Sequence, residues 1–108
     1  MRYTIGRIWT RSGQRDEYLT QSAAYTATSS GEKGCLYYDQ GAMHHDPDGA
    51  MLIECWESAE AHAAHLAHPA RATIGPIFEK HVLRATFEEM DVTGVTPIVI
   101  DLSDKQPG

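Results

Sequence analysis

Three histidines with a three-residue spacing lie in one alanine-rich stretch, "HAAHLAHP", residues 62–69. An imidazole can bind a metal ion or accept a proton near neutral pH, because the unperturbed pKa of histidine is about 6.5. Each residue of a straight helix advances by about 100°, which places His62 and His68 about 120° apart. The three rings therefore cannot converge on one ion, and no carboxylate or thiolate has a spacing that would complete a site. The stretch predicts no metal centre and leaves the pair His62 and His65.

Glu54 is a second residue that could take part in chemistry, because it lies in an otherwise apolar strand segment, "MLIECWE". A carboxylate in such a segment faces a cavity or is paired with a cation. In a cavity it could orient His65, or desolvation could raise its own pKa. The alternative is a structural ion pair with Arg7 or Arg84 on a neighbouring strand.

Several aromatic residues fit either the core or a substrate contact. Trp56 shares a strand face with Glu54, because side chains alternate along a strand. Trp9 is open to both interpretations. Of Tyr37 and Tyr38, one should face each side of the sheet. The tyrosine that faces the substrate could donate its hydroxyl to a substrate oxygen.

Hydrophobic periodicity and turn residues predict the order of the elements. Tyr18, Leu19, Ala23 and Thr26 follow helical offsets in the first helix. Ser58 is a good N-cap for the second helical region, which Pro69 interrupts. The predicted strands are 2–9, 35–43, 51–57, 82–92 and 96–102, and the predicted helices are 15–29, 59–69 and a segment that ends at about residue 81.

The order β-α-β-β-α-β with an extra C-terminal strand is typical of the ferredoxin-like α+β fold. Residues 1–102 are therefore expected to form one domain, followed by a flexible tail at 103–108. The two helices of such a fold cover one face of the sheet and leave the other bare. We predict a homodimer whose sheets pack face to face, with "TPIVIDL" reaching toward the second subunit.

The composition argues against several partners and compartments. The chain has 9 Lys and Arg against 15 Asp and Glu, a formal net charge of −6. Nucleic acids and anionic membranes are poor partners for such a surface. No apolar run approaches the ~20 residues of a membrane span, and "MRYTIGRIWTRSG" lacks the apolar stretch of a signal peptide. We expect a cytoplasmic protein in which Cys35 and Cys55 are free thiols.

One set of residues resembles a known family. The segment "ECWESAEAHAAH", with Gly34 in "GEKGCLYY" and the earlier "SGQRDEYL", is similar to the antibiotic biosynthesis monooxygenase (ABM) family. The resemblance covers about residues 2–92 and implies a dimeric α+β barrel, in which the helix histidine points toward the pocket between helix and sheet. The matching residues are Glu54, Cys55 and Trp56, followed by Ala61 and His65.

The resemblance also bears on cofactors. Haem-degrading members use an Asn on the first strand, a Trp on the second helix and an iron-ligating His. The aligned positions here are Gly6, His65 and Ile74, and the chain contains no Asn. Neither the axial ligand nor the distal donor is therefore expected. No phosphate-binding glycine loop or nucleotide fingerprint is found either, so we predict no cofactor.

The resemblance implies a cofactor-independent monooxygenase that oxidises an aromatic, quinol or anthrone-like molecule with O₂. Two other functions would use the same fold. One is a dimeric module that binds a small apolar ligand without transforming it, and the other is an isomerase that moves a proton through the same histidine. The candidate catalytic residues are His65 and Glu54, and the candidate substrate-binding residues are Trp9, Tyr37, Trp56 and Arg84.

Overall fold

The computed structural model describes residues 1–105, and the predicted tail at 103–108 lies partly outside that range. Four strands and three helices follow the predicted order, with ends within about two residues of the predicted ones for most elements. The elements are β1 (Arg2–Thr10), α1 (Arg15–Ser30), β2 (Cys35–Ala42), β3 (Gly49–Trp56), α2 (Ala59–Leu66), α3 (Arg71–His81) and β4 (Val82–Asp91), with a 3₁₀ turn at Ser103–Lys105.

The strands form one antiparallel sheet in the order β2-β3-β1-β4. This order is that of the ferredoxin-like α+β fold and confirms the predicted fold class. Alternation along the strands then assigns every side chain to one of two faces. The face under the helices is called the covered face and the other the bare face.

Strand pairing defines both faces. Two irregularities set the parity of the edge strands β2 and β4. One lies between Cys35 and Tyr37 in the pairing of β2 with β3, and the other lies at Trp9 and Thr10 in the pairing of β1 with β4. The covered face carries Thr4, Gly6, Ile8, Tyr38, Gln40, Ala50, Leu52, Glu54, Trp56, Phe87 and Glu89. The bare face carries Tyr3, Ile5, Arg7, Trp9, Tyr37, Asp39, Met51, Ile53, Cys55, Arg84, Thr86, Glu88 and Met90.

Helix α1 turns Tyr18, Ser22, Tyr25 and Ser29 toward the covered face, and all four are buried. The predicted apolar face of this helix was correct for Tyr18 but wrong for Ala23, which is exposed. Small serines let the helix lie close to the sheet. The tyrosines bury their rings and carry hydroxyls to polar partners, which apolar periodicity does not record.

Gly34 determines how α2 approaches the sheet. Its φ of 82° lies in the left-handed region, which favours glycine. A Cβ at Gly34 would lie 2.5 Å from the Cβ of Ala61, so the contact between the β2 entry and α2 requires glycine. The N–H of Glu57 donates to the Gly34 carbonyl at 2.8 Å, and Ser58 caps α2 as predicted by accepting from the N–H of Ala61 at 3.1 Å.

The predicted fifth strand at 96–102 is not formed, and that prediction was wrong for the single chain. These residues pair with no strand, and Ile98, Val99 and Ile100 are 87%, 83% and 80% exposed. β-propensity expresses how well a side chain fits a half-buried sheet surface, and nothing within the described chain covers this segment.

Cys35 and Cys55 are both free, as predicted. Cys55 is buried in β3, and burial raises the pKa of the Cys35 thiol to about 11. Within residues 1–105, no helix combines the length and the apolar character that crossing a membrane requires.

Candidate functional site

A cavity of about 400 Å³ lies between the covered face and the helices. This volume falls in the range of small-molecule sites, which combine apolar walls with a few polar groups. Each of the seven elements contributes a polar side chain to the wall. Those side chains are Thr4, Tyr18, Tyr25, Tyr38, Gln40, Glu54, His62, Arg71 and Glu89, and the apolar wall includes Ile8, Leu52, Leu66, Ile74, Phe78 and Phe87.

Glu54 lines this cavity and is only 6% exposed. Its Oε1 accepts a hydrogen bond from Nε1 of Trp56 at 2.9 Å, and lies 4.0 Å from His62 Nε2 and 3.9 Å from His65 Nε2. The alternative ion pair with Arg7 or Arg84 is not formed, because both arginines lie on the bare face. The structure therefore brings Glu54, Trp56 and His65 together, with Trp56 as a buried donor to the carboxylate.

His65 is buried behind the cavity wall and is not one of its lining residues. Its ring stacks on Trp56 with 4.7 Å between centroids. Nδ1 lies 3.0 Å from Oε1 of Glu32, and Nε2 lies 3.3 Å from the hydroxyl of Tyr25. Both ring nitrogens are thus engaged, so His65 can reach a molecule in the cavity only through a neighbouring group.

Tyr25 is that neighbouring group, since it lines the cavity and also touches His65. Its hydroxyl lies 3.5 Å from Nη1 of Arg71, which belongs to α3. A phenol oxygen next to an imidazole and a guanidinium can exchange a proton with the first and have negative charge stabilised by the second. The sequence prediction did not include Tyr25, Glu32 or Arg71.

His62 is the histidine that lines the cavity directly. Burial lowers the pKa of His62 below its usual value, and the nearby Glu54 carboxylate opposes part of that effect. The Trp56 indole lies 6.1 Å away between ring centroids. His62 therefore presents a mostly neutral imidazole to the cavity at neutral pH.

Thr4 and Tyr38 bring two further hydroxyl groups to the wall. Thr4 is 3% exposed, and its Oγ1 finds no hydrogen-bond partner among the described residues. Tyr38 lines the cavity, and burial raises the pKa of its phenol well above the usual value. A buried hydroxyl without a partner is costly, so the Thr4 hydroxyl suits a polar atom of a bound molecule.

Hydrogen-bonded polar side chains line the other end of the cavity. The Tyr18 hydroxyl donates to Oε1 of Gln40 at 3.0 Å, and Nε2 of Gln40 donates to Ser22 at 2.9 Å and to Thr26 at 3.1 Å. Burial raises the pKa of Tyr18 to about 12. These groups satisfy one another, so this end is a polar wall held by the protein itself.

Gly6 shapes the floor of the cavity. A Cβ at Gly6 would lie 2.9 Å from Cε1 of Phe87 and 3.1 Å from the Cβ of Leu52. The glycine therefore leaves the space that the Phe87 ring takes. A polar side chain at this position on β1 would displace that ring.

Trp9, Tyr37 and Arg84 do not line this cavity, because strand parity places all three on the bare face. Arg84 stacks over the Trp9 ring at 5.0 Å from its centroid, and Tyr37 packs its edge against Tyr3 at 6.1 Å. Of the two adjacent tyrosines, Tyr38 faces the cavity. The sequence prediction named Tyr37 for that role.

Residues 1–105 contain no group of three His, Cys, Asp or Glu side chains arranged to hold a metal ion.

The three site residues that the sequence did not predict come from different parts of the chain. Glu32 lies in the loop between α1 and β2, Tyr25 in α1 and Arg71 in α3, so no local sequence pattern links them. The one signal in the sequence was the seven-residue spacing of Tyr18 and Tyr25, which places both on one helix face.

Comparison with known proteins agrees with this architecture. Residues 1–74 match the family model described as antibiotic biosynthesis monooxygenase. Comparison with curated proteins gives no match.

Solved structures include similar folds. Protein PA3566 from Pseudomonas aeruginosa is 22% identical, with a TM-score of 0.77 over 86% of this chain and 94% of its own. A candidate antibiotic biosynthesis monooxygenase from Deinococcus radiodurans is 18% identical, with a TM-score of 0.81 over 92% and 99%. Another, from Chloroflexus aurantiacus, is 27% identical, with a TM-score of 0.72 over 91% and 98%.

The family match spans well over half of the chain and includes Glu54, Trp56, Ala61 and His65. It confirms the resemblance found in the sequence, and the chain belongs to the antibiotic biosynthesis monooxygenase family.

Proposed function

We propose that the protein is a cofactor-independent monooxygenase that oxidises a small aromatic, quinol or anthrone-like molecule with O₂. The observation that supports this proposal most directly is the cavity, about 400 Å³ in volume, with aromatic and aliphatic walls and a buried group of Glu54, His62 and His65 at one side. Phe78 and Phe87 offer flat apolar surface to an aromatic ring. The family supports a monooxygenase-like role.

Dioxygen reacts slowly with closed-shell organic molecules because its ground state is a triplet. An anthrone-like CH₂ group avoids this barrier once it loses a proton, because the carbanion gives one electron to O₂ and the two radicals then combine. The resulting peroxide anion takes the first proton back to form a hydroperoxide. The hydroperoxide then loses its remaining C–H proton and hydroxide as water, which leaves a carbonyl group. The balance is R₂CH₂ + O₂ → R₂C=O + H₂O, and no external reductant enters.

In this scheme the protein removes a proton, stabilises the resulting oxyanion and excludes water. We assign proton removal to the group that contains Glu54 and His65. Arg71 and the hydroxyl of Tyr38 are the groups of the wall that can stabilise the oxyanion. Trp9, Tyr37 and Arg84, which were expected to bind substrate, take no part in this cavity.

The bare face supports the homodimer as a further part of the proposal. Tyr37 is 43% exposed, Met51 and Ile53 are each 41% exposed, and Met90 is 37% exposed, which leaves apolar surface unprotected in the single chain. Exposed apolar surface of this kind marks an interaction site. Residues 96–102 are exposed and largely apolar. We propose that they reach over the second subunit.

Oxygen uptake by the purified protein, with a panel of hydroquinones and anthrones, tests the proposed function. We expect uptake above the buffer rate with at least one substrate. We also expect a fall of about 10²–10⁴-fold in His65→Ala, the usual contribution of general-base catalysis. His45→Ala is the matched control, because His45 is exposed in the loop between β2 and β3.

The alternatives give different results in the same experiment. Uptake equal to that of buffer for every substrate would contradict the monooxygenase. Conversion of a substrate without oxygen consumption would indicate the proton-transfer isomerase, and retention without conversion would indicate a binding module. Uptake that His65→Ala leaves unchanged would contradict the role of His65 alone.

A further inference from the structure

A carboxylate, an imidazole and a phenol form a continuous chain that ends in the cavity wall. Oε1 of Glu32 lies 3.0 Å from Nδ1 of His65, and Nε2 of the same ring lies 3.3 Å from the hydroxyl of Tyr25. His65 is 2% exposed and does not line the cavity, whereas Tyr25 does. A proton that leaves a bound molecule for His65 has to cross the phenol oxygen.

We propose that Tyr25 is the catalytic residue that touches the substrate, and that Glu32 and His65 are positioning residues that act through it. This inference rests on the proposed function for the identity of the reaction. It differs from the direct use of His65 as the base, because the ring is shielded from the cavity.

The transfer has a simple balance. The substrate gives its proton to the Tyr25 oxygen, and the Tyr25 O–H gives its own proton to Nε2 of His65. The bond between substrate and hydrogen breaks, an N–H bond forms on the imidazole, and the phenol is unchanged at the end. The products are a substrate anion in the cavity and an imidazolium behind the wall. The reverse transfer returns the proton to the peroxide anion that forms with O₂, which gives the neutral hydroperoxide.

The charges around the chain favour these products. The Glu32 carboxylate keeps a proton on Nδ1 of His65 and stabilises the imidazolium through a charge-assisted hydrogen bond. Glu54 provides a second negative charge 3.9 Å from Nε2 of His65. Arg71 lies 3.5 Å from the Tyr25 hydroxyl and stabilises negative charge on that oxygen during the transfer.

An isolated phenol is a poor base at neutral pH because it already carries its proton. The imidazole next to it removes that difficulty, since the phenol only relays the proton. The relay also requires contacts at both nitrogens of His65, one to the Tyr25 hydroxyl and one to the Glu32 carboxylate. The groups that face His65 are Tyr25 from α1, Glu32 from the loop after α1, Tyr38 from β2, Glu54 and Trp56 from β3, and His62 from α2.

Ionisation of a bound chromogenic phenol tests the relay without oxygen. The probe is 4-nitrophenol, whose phenolate absorbs visible light, added to the purified protein and titrated with pH. The wild type should ionise the bound probe at lower pH than the free probe. Tyr25→Phe and Glu32→Gln should each raise that pH by about one unit, a tenfold change in proton affinity that corresponds to the loss of one charge-assisted hydrogen bond.

Tyr3→Phe is the matched control, because it removes a phenol hydroxyl from the bare face and should leave the titration unchanged. Tyr25→Phe keeps the ring that packs 6.1 Å from Tyr38, so folding should be preserved. A bound probe that titrates alike in the wild type, Tyr25→Phe and Glu32→Gln would overturn the relay. A purely structural Glu32 would also leave the titration unmoved in Glu32→Gln.

The relay and the oxygenase can fail separately. A shifted probe titration without oxygen uptake would support the relay and contradict the monooxygenase. Oxygen uptake that Tyr25→Phe leaves intact would contradict the relay and support the monooxygenase. In the wild type with an active substrate, we expect Tyr25→Phe to lower kcat about 100-fold with little change in KM.

Discussion

The covered and bare faces of the sheet come from the same four strands, yet they use polar residues in opposite ways. On the covered face, Glu54 is buried and is bonded to Trp56 at 2.9 Å. On the bare face, Arg7 pairs with Glu88 at 3.0 Å, but these side chains are 47% and 65% exposed. Exposed ion pairs of this kind contribute about 0–1 kcal/mol, whereas a buried carboxylate is costly unless its partners are in place.

This difference separates the residues of the candidate site from the residues of the proposed dimer surface. Polar groups that are buried at a cost and converge on a cavity indicate a functional site. Apolar side chains that stay exposed on the opposite face support the homodimer proposed above. One sheet can therefore serve both purposes, because the alternation of side chains keeps the two sets apart.

The largest expected effect concerns the bare face. Ile53 lies near its centre, paired with Ile5 on β1 and Asp39 on β2. Ile53→Asp would place an unpaired charge next to Asp39 in the proposed dimer contact, and we expect the dissociation constant to rise at least about 100-fold. Sedimentation equilibrium over a concentration series measures the change.

Thr20→Asp provides the control for that experiment, because it adds the same charge at an exposed position on α1. It should leave the dissociation constant near that of the wild type. A monomeric wild type, or an Ile53→Asp variant that associates as tightly as the wild type, would contradict the assignment of the bare face.

The next effect concerns the helices over the covered face. Gly34→Ala introduces a side chain at a φ of 82° and against Ala61, and we expect a loss of about 2–4 kcal/mol in the free energy of unfolding. Gly13→Ala is the matched variant, because its φ is 76° but no other group of residues 1–105 lies within 4 Å of the added Cβ. Urea unfolding should therefore give a smaller loss for Gly13→Ala, and equal losses would rule out the contact with Ala61.

Local signals were sufficient to predict most of the fold. Turn residues and periodicity located each of the four strands, and Ser58 was identified as the cap of α2. Strand parity in β2 was not predictable, because one extra residue between Cys35 and Tyr37 shifts the register. That shift places Tyr38 rather than Tyr37 toward the cavity.

The candidate site was predictable only where its residues share one local pattern. Glu54, Trp56 and His65 belong to a single strand and helix, and the family resemblance identified them together. Tyr25, Glu32 and Arg71 meet through tertiary packing of α1, its following loop and α3. No residue spacing in the sequence predicts these contacts, because they depend on how closely the helices approach the sheet.

A smaller effect should appear in the pH dependence of stability. Burial lowers the pKa of His62 in the folded protein, so the unfolded chain binds this proton more readily. Stability should therefore fall as pH drops below about 6.5, the usual histidine pKa, toward the lowered folded pKa. His62→Gln should remove this part of the decline, as measured by urea unfolding between pH 8 and pH 5.

His45→Gln is the control for that titration, because His45 is exposed. It should leave the slope of stability against pH as in the wild type. A His62→Gln variant with the wild-type slope would contradict the burial effect on His62.

The smallest effect compares two buried threonines of β1. The hydroxyl of Thr4 has no partner among residues 1–105, whereas the hydroxyl of Thr10 donates to the Arg11 carbonyl at 3.0 Å. Thr4→Val should raise the free energy of unfolding by about 0.5–1 kcal/mol, since it removes an unsatisfied group, and Thr10→Val should lower it by about 1 kcal/mol. Urea midpoints measure both changes. Two losses of equal size would mean that the Thr4 hydroxyl is satisfied in the folded protein, and Thr4 would then no longer serve as a free hydrogen-bonding group for a bound molecule.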